Sequence, residues 1–272
     1  MKNTFKKLFI SFTVLSLTAC SSTTMQDNTF AAKENKDFTK YTNQLVVEYA
    51  ENDYTTMHQF FEHPEDYGID INNVDVSLGE FYTDNTEEIK EDQKELNKFN
   101  RSTLDKTQQT IYDELKYENE LSLKAENKKF QYLNNCWSTM SGLHQSLISV
   151  FSEYILRNEK DIQDLITLIN DVPRYTNDVL EYTKKQADKN TLQFDYDSVT
   201  QDIQDVINNK ADSSITSALY NAIDALNLDE EKTTSYKAQV KDAMDTSFFP
   251  SYQDMLDTLT SLQYLSLIHI SE

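Results

Sequence analysis

Residues 161–185 read DIQDLITLINDVPRYTNDVLEYTKK, and the spacing of their apolar side chains decides the fold class. Ile162, Leu165, Ile166, Ile169 and Val172 recur at three- and four-residue intervals, which places them on one face of an α-helix. Tyr175, Val179 and Tyr182 continue that stripe beyond Pro173. Proline has no amide to give the helical ladder, so Pro173 is expected to kink or end the helix.

The same period extends in both directions. The first helix is expected to begin near Asp37, and Leu45 and Tyr49, then Tyr54, Met57, Phe60 and Phe61, make two adjoining stripes closed by His63-Pro64 and Gly68. Leu96-Phe99 and Ile111-Tyr112-Leu115 resume the pattern. Downstream, Val199, Ile203, Val206 and Ile207 mark one helix, and Ile215, Leu219, Ile223 and Leu226 another. Asp229 reads as the N-cap of a helix carrying Tyr236, Val240 and Met244. Pro250 is expected to open the last helix, with Met255, Leu259 and Leu262 on one face. Only residues 69–85 break the period, where Ile69, Ile71, Val74, Val76 and Leu78 are interleaved with Asp and Asn. The expected fold is therefore all-α, a multi-helix scaffold with one irregular or short-strand segment near 69–85 and no internal repeat.

Composition points the same way. Three Gly and three Pro in 272 residues compare with about 12% for the two together in average proteins, so tight turns are few and helices long. Three scattered glycines also exclude the dinucleotide-binding, P-loop and nucleophile-elbow motifs, each of which needs closely spaced glycines. The formal charge is -21, and setting aside Lys2, Lys6 and Lys7 of the leader leaves 22 basic against 46 acidic side chains. So acidic a surface repels phosphate, and nucleic acid is not an expected partner.

The N-terminus, MKNTFKKLFISFTVLSLTAC, sets a basic region before an apolar stretch from Leu8 to Leu17 and then Leu17-Thr18-Ala19-Cys20. That stretch is too short to span a membrane and has the length of a signal-peptide core. The Leu-Thr-Ala-Cys ending resembles the lipobox of bacterial lipoproteins, in which Cys20 would carry lipid. Residues from Ser21 to about Lys36 are small and polar, suited to a tether. Cys136 would then be the one thiol of the mature chain, with no partner for a disulfide, and is expected to pack as a small buried hydrophobe.

Side chains with catalytic or ligating chemistry are sparse. His58 and His63 lie five apart, on different faces of any one helix, so the pair is a poor zinc site. Ser141 and His144 are one turn apart and could touch, but a catalytic dyad also needs an orienting acid and an oxyanion hole. The Asp188-x-Asn190 start followed by Leu192 and Gln193 fails the calcium-loop pattern. Glu87-Glu88 and Asp229-Glu230-Glu231 read as solvated first turns of helices.

Several segments in order resemble the bacterial family catalogued as domain of unknown function 885. They are Met57-His58 with His63-Pro64-Glu65-Asp66-Tyr67-Gly68-Ile69, Thr110-Ile111-Tyr112-Asp113-Glu114-Leu115, and Met140-Ser141-Gly142-Leu143-His144. Leu168 to Tyr175, Leu226 to Glu231, and Phe249-Pro250-Ser251-Tyr252 follow. The resemblance implies an exported protein similar to zinc-dependent peptidases, with a helical fold and a His-Glu metal motif on a helix, in a domain roughly twice the present length. In such chemistry histidines hold Zn²⁺, a water in the open position attacks the peptide carbonyl, and the Glu takes its proton. No His-Glu pair occurs in residues 1–272, so no catalytic or metal residue carries over. Zinc is expected only in a full-length parent. Within the helical part, Arg174 after Pro173 is the candidate substrate contact, since a kink would free backbone carbonyls beside it.

The expected organisation is a signal peptide over 1–19, lipidated Cys20 and tether over 20–36, a truncated helical N-terminal part of the family domain over 37–264, and a non-native tail over 265–272. Its place would be outside the cytoplasm, anchored by lipid to a bacterial cell membrane. The alternative is a non-enzymatic acidic helical surface lipoprotein that binds a peptide or protein partner. The tail LSLIHISE matches, in frame, the translation of a transposase-based library adapter end, which would remove His269 from the candidate ligands. Resequencing the locus with a different library chemistry is expected to replace those eight codons; recovering them again, followed by native sequence, would overturn this reading.

Overall fold

Helix starts in this chain are set by short polar side chains that accept amides of the first turn. Asp53 accepts from the Thr56 amide, Asp195 from Ser198, Ser213 from Thr216 and Asp229 from Lys232. Asp105 and Asn158 go further, each forming a reciprocal capping box with Gln108 and Asp161 respectively. The computed structural model describes residues 33–81 and 84–270. Its helices are α1 (Lys36–Asn52), α2 (Tyr54–Phe60), α3 (Thr86–Leu96), α4 (Lys106–Ala125), α5 (Leu143–Ser152) and α6 (Glu159–Asp188). They continue with α7 (Tyr196–Asn208), α8 (Ser214–Ala225), α9 (Glu230–Ala243) and α10 (Phe249–Ile270). Among the described residues there is no strand, so the fold is all-α.

Two compact units divide the chain. The first holds α1, α3 and α4 around Phe38, Leu96, Leu104, Ile111, Tyr112 and Leu115, with Tyr41, Leu45 and Phe99 packed against that cluster. Phe99 meets Phe38 edge-on, with centroids 5.1 Å apart, a favoured aromatic geometry. Gln108 adds a polar tie. Its carboxamide accepts from the Asn35 amide at 2.9 Å and donates to the Asn35 carbonyl at 2.8 Å, fixing the entry to α1 against the start of α4.

The second unit is built on α6. Ile162, Leu165, Leu168, Ile169 and Val172 are wholly buried along its apolar face, and α9 and α10 pack against that helix. Farther out, α7 lies along α10 through Val199, Ile203, Met255 and Leu259, all buried, while α8 contacts α5 and α9. Phe151, Phe248 and Tyr252 form a buried aromatic cluster, with Phe248 edge-on to Phe151 and tilted against Tyr252.

Pro173 was expected to kink or end its helix, and Pro250 to open the last one. Pro173 does not end α6, which runs unbroken from Glu159 to Asp188. The ring sits on an exposed face of the helix, away from the core. Pro250 stands in the first turn of the last helix, as expected, although no break precedes it. A π-helical turn, Met244–Phe248, joins α9 to α10 without a break, and the Phe249 amide bonds back to the Met244 carbonyl. The wider turn directly before Pro250 makes room for its ring, which would clash with a regular α-turn.

Residues 75–81 ride on α6 rather than pairing as a strand. The Leu78 amide donates to Asp171 at 2.8 Å, and Phe81 meets Tyr175 and Tyr182 edge-on. Residues 69–74 belong to the first unit, where Ile71–Asn73 forms a single 3₁₀ turn capped by Asp70. The alternating pattern thus reflects a loop whose apolar side chains find partners one at a time. The leader, Cys20, most of the tether and the His269 side chain lie outside the described residues. No described helix is long and apolar enough to cross a membrane.

The stripe on α6 generates a direct test. Leu165→Ala is expected to cost about 2–5 kcal/mol through lost burial and the cavity left behind. The urea midpoint of the purified chain should fall accordingly. An exposed control on the same helix, Gln163→Ala, should leave it almost unchanged.

Candidate functional site

A buried polar cluster of the second unit gathers on α2 and the N-terminus of α6. Tyr54 and His58 are four apart on α2 and so share a face; Asp161 and Asp164 are three apart in the first turns of α6. Tyr154 arrives from the turn after α5. The His58 ring lies stacked between the rings of Tyr154 and Tyr54, at centroid distances of 4.4 and 5.5 Å. His58 Nε2 is 2.7 Å from the Ile155 carbonyl, an acceptor, which assigns the proton to that nitrogen. Nδ1 is then the acceptor end, with the Tyr54 hydroxyl at 3.5 Å and an Asp161 oxygen at 4.0 Å.

The tyrosines complete a relay of hydrogen bonds. Tyr54 donates to Asp164 at 2.9 Å, and the Tyr154 hydroxyl is 2.9 Å from that of Tyr54. Lys160, one turn earlier on α6, pairs with the same Asp164 carboxylate. Arg157 donates to the His58 carbonyl at 3.0 Å, and its own amide is held by Asp161 at 2.7 Å. Burial drives both phenols well above their ordinary range, with the nearby carboxylates acting in the same sense. Burial also holds the His58 imidazole below 6.5, against the opposing pull of Ile155 and Asp161. A small pocket of about 130 Å³ opens beside His58 and Tyr154, lined also by Ser149 and Glu153. The cluster thus pins α2 onto the start of α6 through hydrogen bonds and the Lys160–Asp164 ion pair.

His144 is the second buried histidine, and its setting differs. It follows Gly142, the N-cap of α5, and its ring stacks near Trp137 at 6.4 Å. Neither ring nitrogen has a hydrogen-bond partner, and the nearest charge is an Asp202 oxygen 3.6 Å from Nε2. Burial lowers its pKa, and Asp202 opposes the shift. A Cβ on Gly142 would lie 2.6 Å from the Ser138 carbonyl and 2.9 Å from the His144 ring, so only glycine fits there. Ser141, weighed as a dyad partner and not favoured, is exposed, and its carbonyl accepts from Ser146. No hydrogen bond joins it to His144, whose ring lacks the base's required contact.

The other sequence candidates are placed as follows. His63 is exposed beside Glu65, at 3.5 Å, in the first unit, whereas His58 belongs to the second. Cys136 is buried, which pushes its thiol up to about 12, far from the thiolate that a nucleophile or metal ligand needs. Arg174 is held by Asp171 through two bonds of 2.6 and 2.8 Å, by Asp178 at 3.2 Å, and it donates to the Gly79 carbonyl at 2.8 Å. Its guanidinium therefore fastens residues 75–81 to α6. Among the described residues no group of three or more His, Cys, Asp or Glu could hold a metal ion. The residues present do not make the His-Glu site that the family resemblance implies. His58 Nε2 is already taken by a carbonyl, and no histidine is followed by Glu.

The Tyr54, Tyr154, Asp161 and Asp164 network escaped the sequence reading. The i,i+4 pairing of Tyr54 with His58 was its one local signal; the meeting with Tyr154 and Asp164 spans about a hundred residues.

Comparison with known proteins supplies a family. The model of a family described as "Bacterial protein of unknown function (DUF885)" matches residues 72–265, more than two thirds of the chain. No curated protein and no solved structure matches it.

The two depressed histidines set a pH dependence. A His whose folded pKa lies below its unfolded value of 6.5 is protonated first in the unfolded chain. Stability is therefore expected to fall as pH drops from 6.5 toward the folded-state values, and to fall no further from this cause below them. Melting temperatures across that window should show a shallower slope for His144→Gln than for the parent. An identical slope would mean that His144 does not contribute.

Proposed function

Because the chain belongs to the DUF885 family of bacterial proteins, we propose that it is the N-terminal, non-catalytic helical part of an exported, lipid-anchored protein of the zinc-peptidase kind. The family match over residues 72–265 carries the family part of this reading, and the peptidase part rests on the family resemblance of the segments quoted from the sequence. Its lipid anchor rests on the leader, in which Lys2, Lys6 and Lys7, a short apolar core and Leu17-Thr18-Ala19-Cys20 fall in order. Acylation of Cys20 would hold the helical units outside the cytoplasm on a tether of small polar residues.

The proposal assigns peptide hydrolysis to the longer parent and none to residues 1–272. A zinc peptidase needs histidine ligands, an open coordination position and a carboxylate base at one site. The four histidines of this chain stand before Gln59, Pro64, Gln145 and Ile270, none beside a glutamate of a metal motif. When bound in the parent, zinc would supply an activated water. The helices here would serve as scaffold, and no catalytic role is assigned to His58, His144 or Arg174.

A second reading draws on the excess of 46 acidic over 25 basic side chains. In it the chain is a surface lipoprotein that captures a peptide or protein partner without chemistry, its field favouring basic ligands. The two readings part on the reading frame. Continuation past Tyr264 into a helix bearing a His-Glu motif is the expected result, and a native stop soon after that residue would remove the peptidase reading. Purified chain is expected to hold no stoichiometric zinc by elemental analysis and to leave a mixed peptide pool uncut. Tight zinc binding or cleavage by this chain would contradict its non-catalytic role.

A further inference from the structure

The His144 side chain is buried, and neither of its ring nitrogens has a hydrogen-bond partner. A neutral imidazole carries one N–H and one bare nitrogen. Asp202 Oδ2 on α7 stands 3.6 Å from Nε2, just beyond bonding range, and draws the N–H to that nitrogen. The same oxygen accepts from the Gln145 carboxamide at 3.2 Å, which holds it in place. Nδ1 is then the bare nitrogen, enclosed and with neither donor nor acceptor against it.

The walls around the ring give a second N–H no acceptor. A Cβ on Gly142 would fall 2.9 Å from Cε1, the carbon between the two nitrogens, so the backbone of the loop before α5 lies against that edge. Trp137 lies nearly parallel to the ring, at an angle of 19°. Of the elements packed around it, α7 contributes Asp202, and α10 contributes Tyr252, whose hydroxyl donates to the His144 carbonyl and stays neutral because burial raises its pKa. The preceding loop contributes Cys136, neutral with its thiol pushed up to about 12. In α8, which also packs on α5, Tyr220 and Asp224 are the ionisable side chains, and Lys237 of α9 engages both. Asp202 is therefore the charge that acts on the ring, and it acts from the Nε2 side.

We propose that His144 is an acid-operated latch, in which a proton added at Nδ1 releases residues 136–142 from α5 and carries Trp137 out of the core. An imidazolium presents two N–H groups, and a buried charged donor without an acceptor is costly. The loop gives way because its hold on the helices is slight. Trp137 is fixed by its indole N–H on Thr183 at 2.9 Å, and Leu143 donates its amide back to the Cys136 carbonyl at 2.9 Å. Gly142 and Met140 donate to Ser138, within the loop itself, and the Met140 side chain at its tip is 89% exposed. In the open loop Nδ1–H meets water while Nε2–H keeps Asp202. Burial holds the pKa of the closed ring below 6.5 against the pull of Asp202, so the proton favours the open loop as pH falls through that range.

Trp137 is the only tryptophan of the chain, so its emission reports the loop in the intact protein without a label. Emission, acrylamide quenching and far-ultraviolet circular dichroism are followed between about pH 8 and 5, where a histidine titrates. As pH falls, emission is expected to move to longer wavelength and quenching to rise, with helicity constant and a midpoint below 6.5. In His144→Gln the change should be lost. Asp202→Asn alters a side chain at the surface and is expected to fold as the parent does; it keeps the transition but moves the midpoint to lower pH, because the carboxylate that favours the proton is gone. Emission that stays flat across the window would overturn the latch, as would dimming without greater access to acrylamide. So would the same transition in His144→Gln, a midpoint unmoved or raised in Asp202→Asn, or a loss of helicity in step with the emission.

Discussion

Burial of one helical face organises the second unit. Ile162, Leu165, Leu168, Ile169 and Val172 are excluded from solvent on α6, and each must be met by a side chain from elsewhere. The partners come from α9, the π-helical turn and α10, a single continuous helical run that changes pitch beside Asn170, whose side chain accepts from Ser247. Because interiors pack near crystal density, that change of pitch is tied to the aromatic cluster of Phe151, Phe248 and Tyr252. The Tyr252 hydroxyl in turn donates to the His144 carbonyl and links α10 to the first turn of α5. Residues far from α6 in sequence are thereby fixed by it.

Polar contacts decorate this apolar frame and select its details. Trp137, buried in the loop before α5, donates its indole N–H to Thr183 at 2.9 Å. Leu78 and Gly79 are fastened through Asp171 and Arg174, and α2 through His58 and Tyr54. In each case a group that would be costly to bury alone is matched by a partner on α6 or beside it. Among the described residues the exceptions are His144, Thr176 Oγ1 and Gln186 Oε1, where the interior keeps unspent hydrogen-bonding capacity. His144 is enclosed by Trp137, Gly142 and the start of α5, and Gln186 lies beside a surface pocket from which its Oε1 is sealed.

Family membership and site chemistry answer different questions here. Membership places most of the chain in a set of bacterial proteins, and a fold shared within a family carries no activity of its own. What the described side chains offer is a hydrogen-bonded His-Tyr-Asp network, an inert thiol and a buried histidine with both ring nitrogens unpaired.

Helical period, cap residues and solvated acidic first turns were legible in the residues themselves. They depend on neighbours three or four positions away, as the Asp229 cap and the Ile215, Leu219, Ile223 face show. That Pro173 would not end its helix was not legible, because the cost of a proline depends on its tertiary surroundings, and no local pattern announces the π-turn that precedes Pro250. The network of Tyr54, His58, Tyr154 and Asp164 and the approach of His144 to Asp202 join residues roughly 60 to 110 positions apart. Sequence determined which stretches would be helices and which faces they would bury. Tertiary structure alone decided which polar side chains met, because that choice follows from how the buried faces pack together.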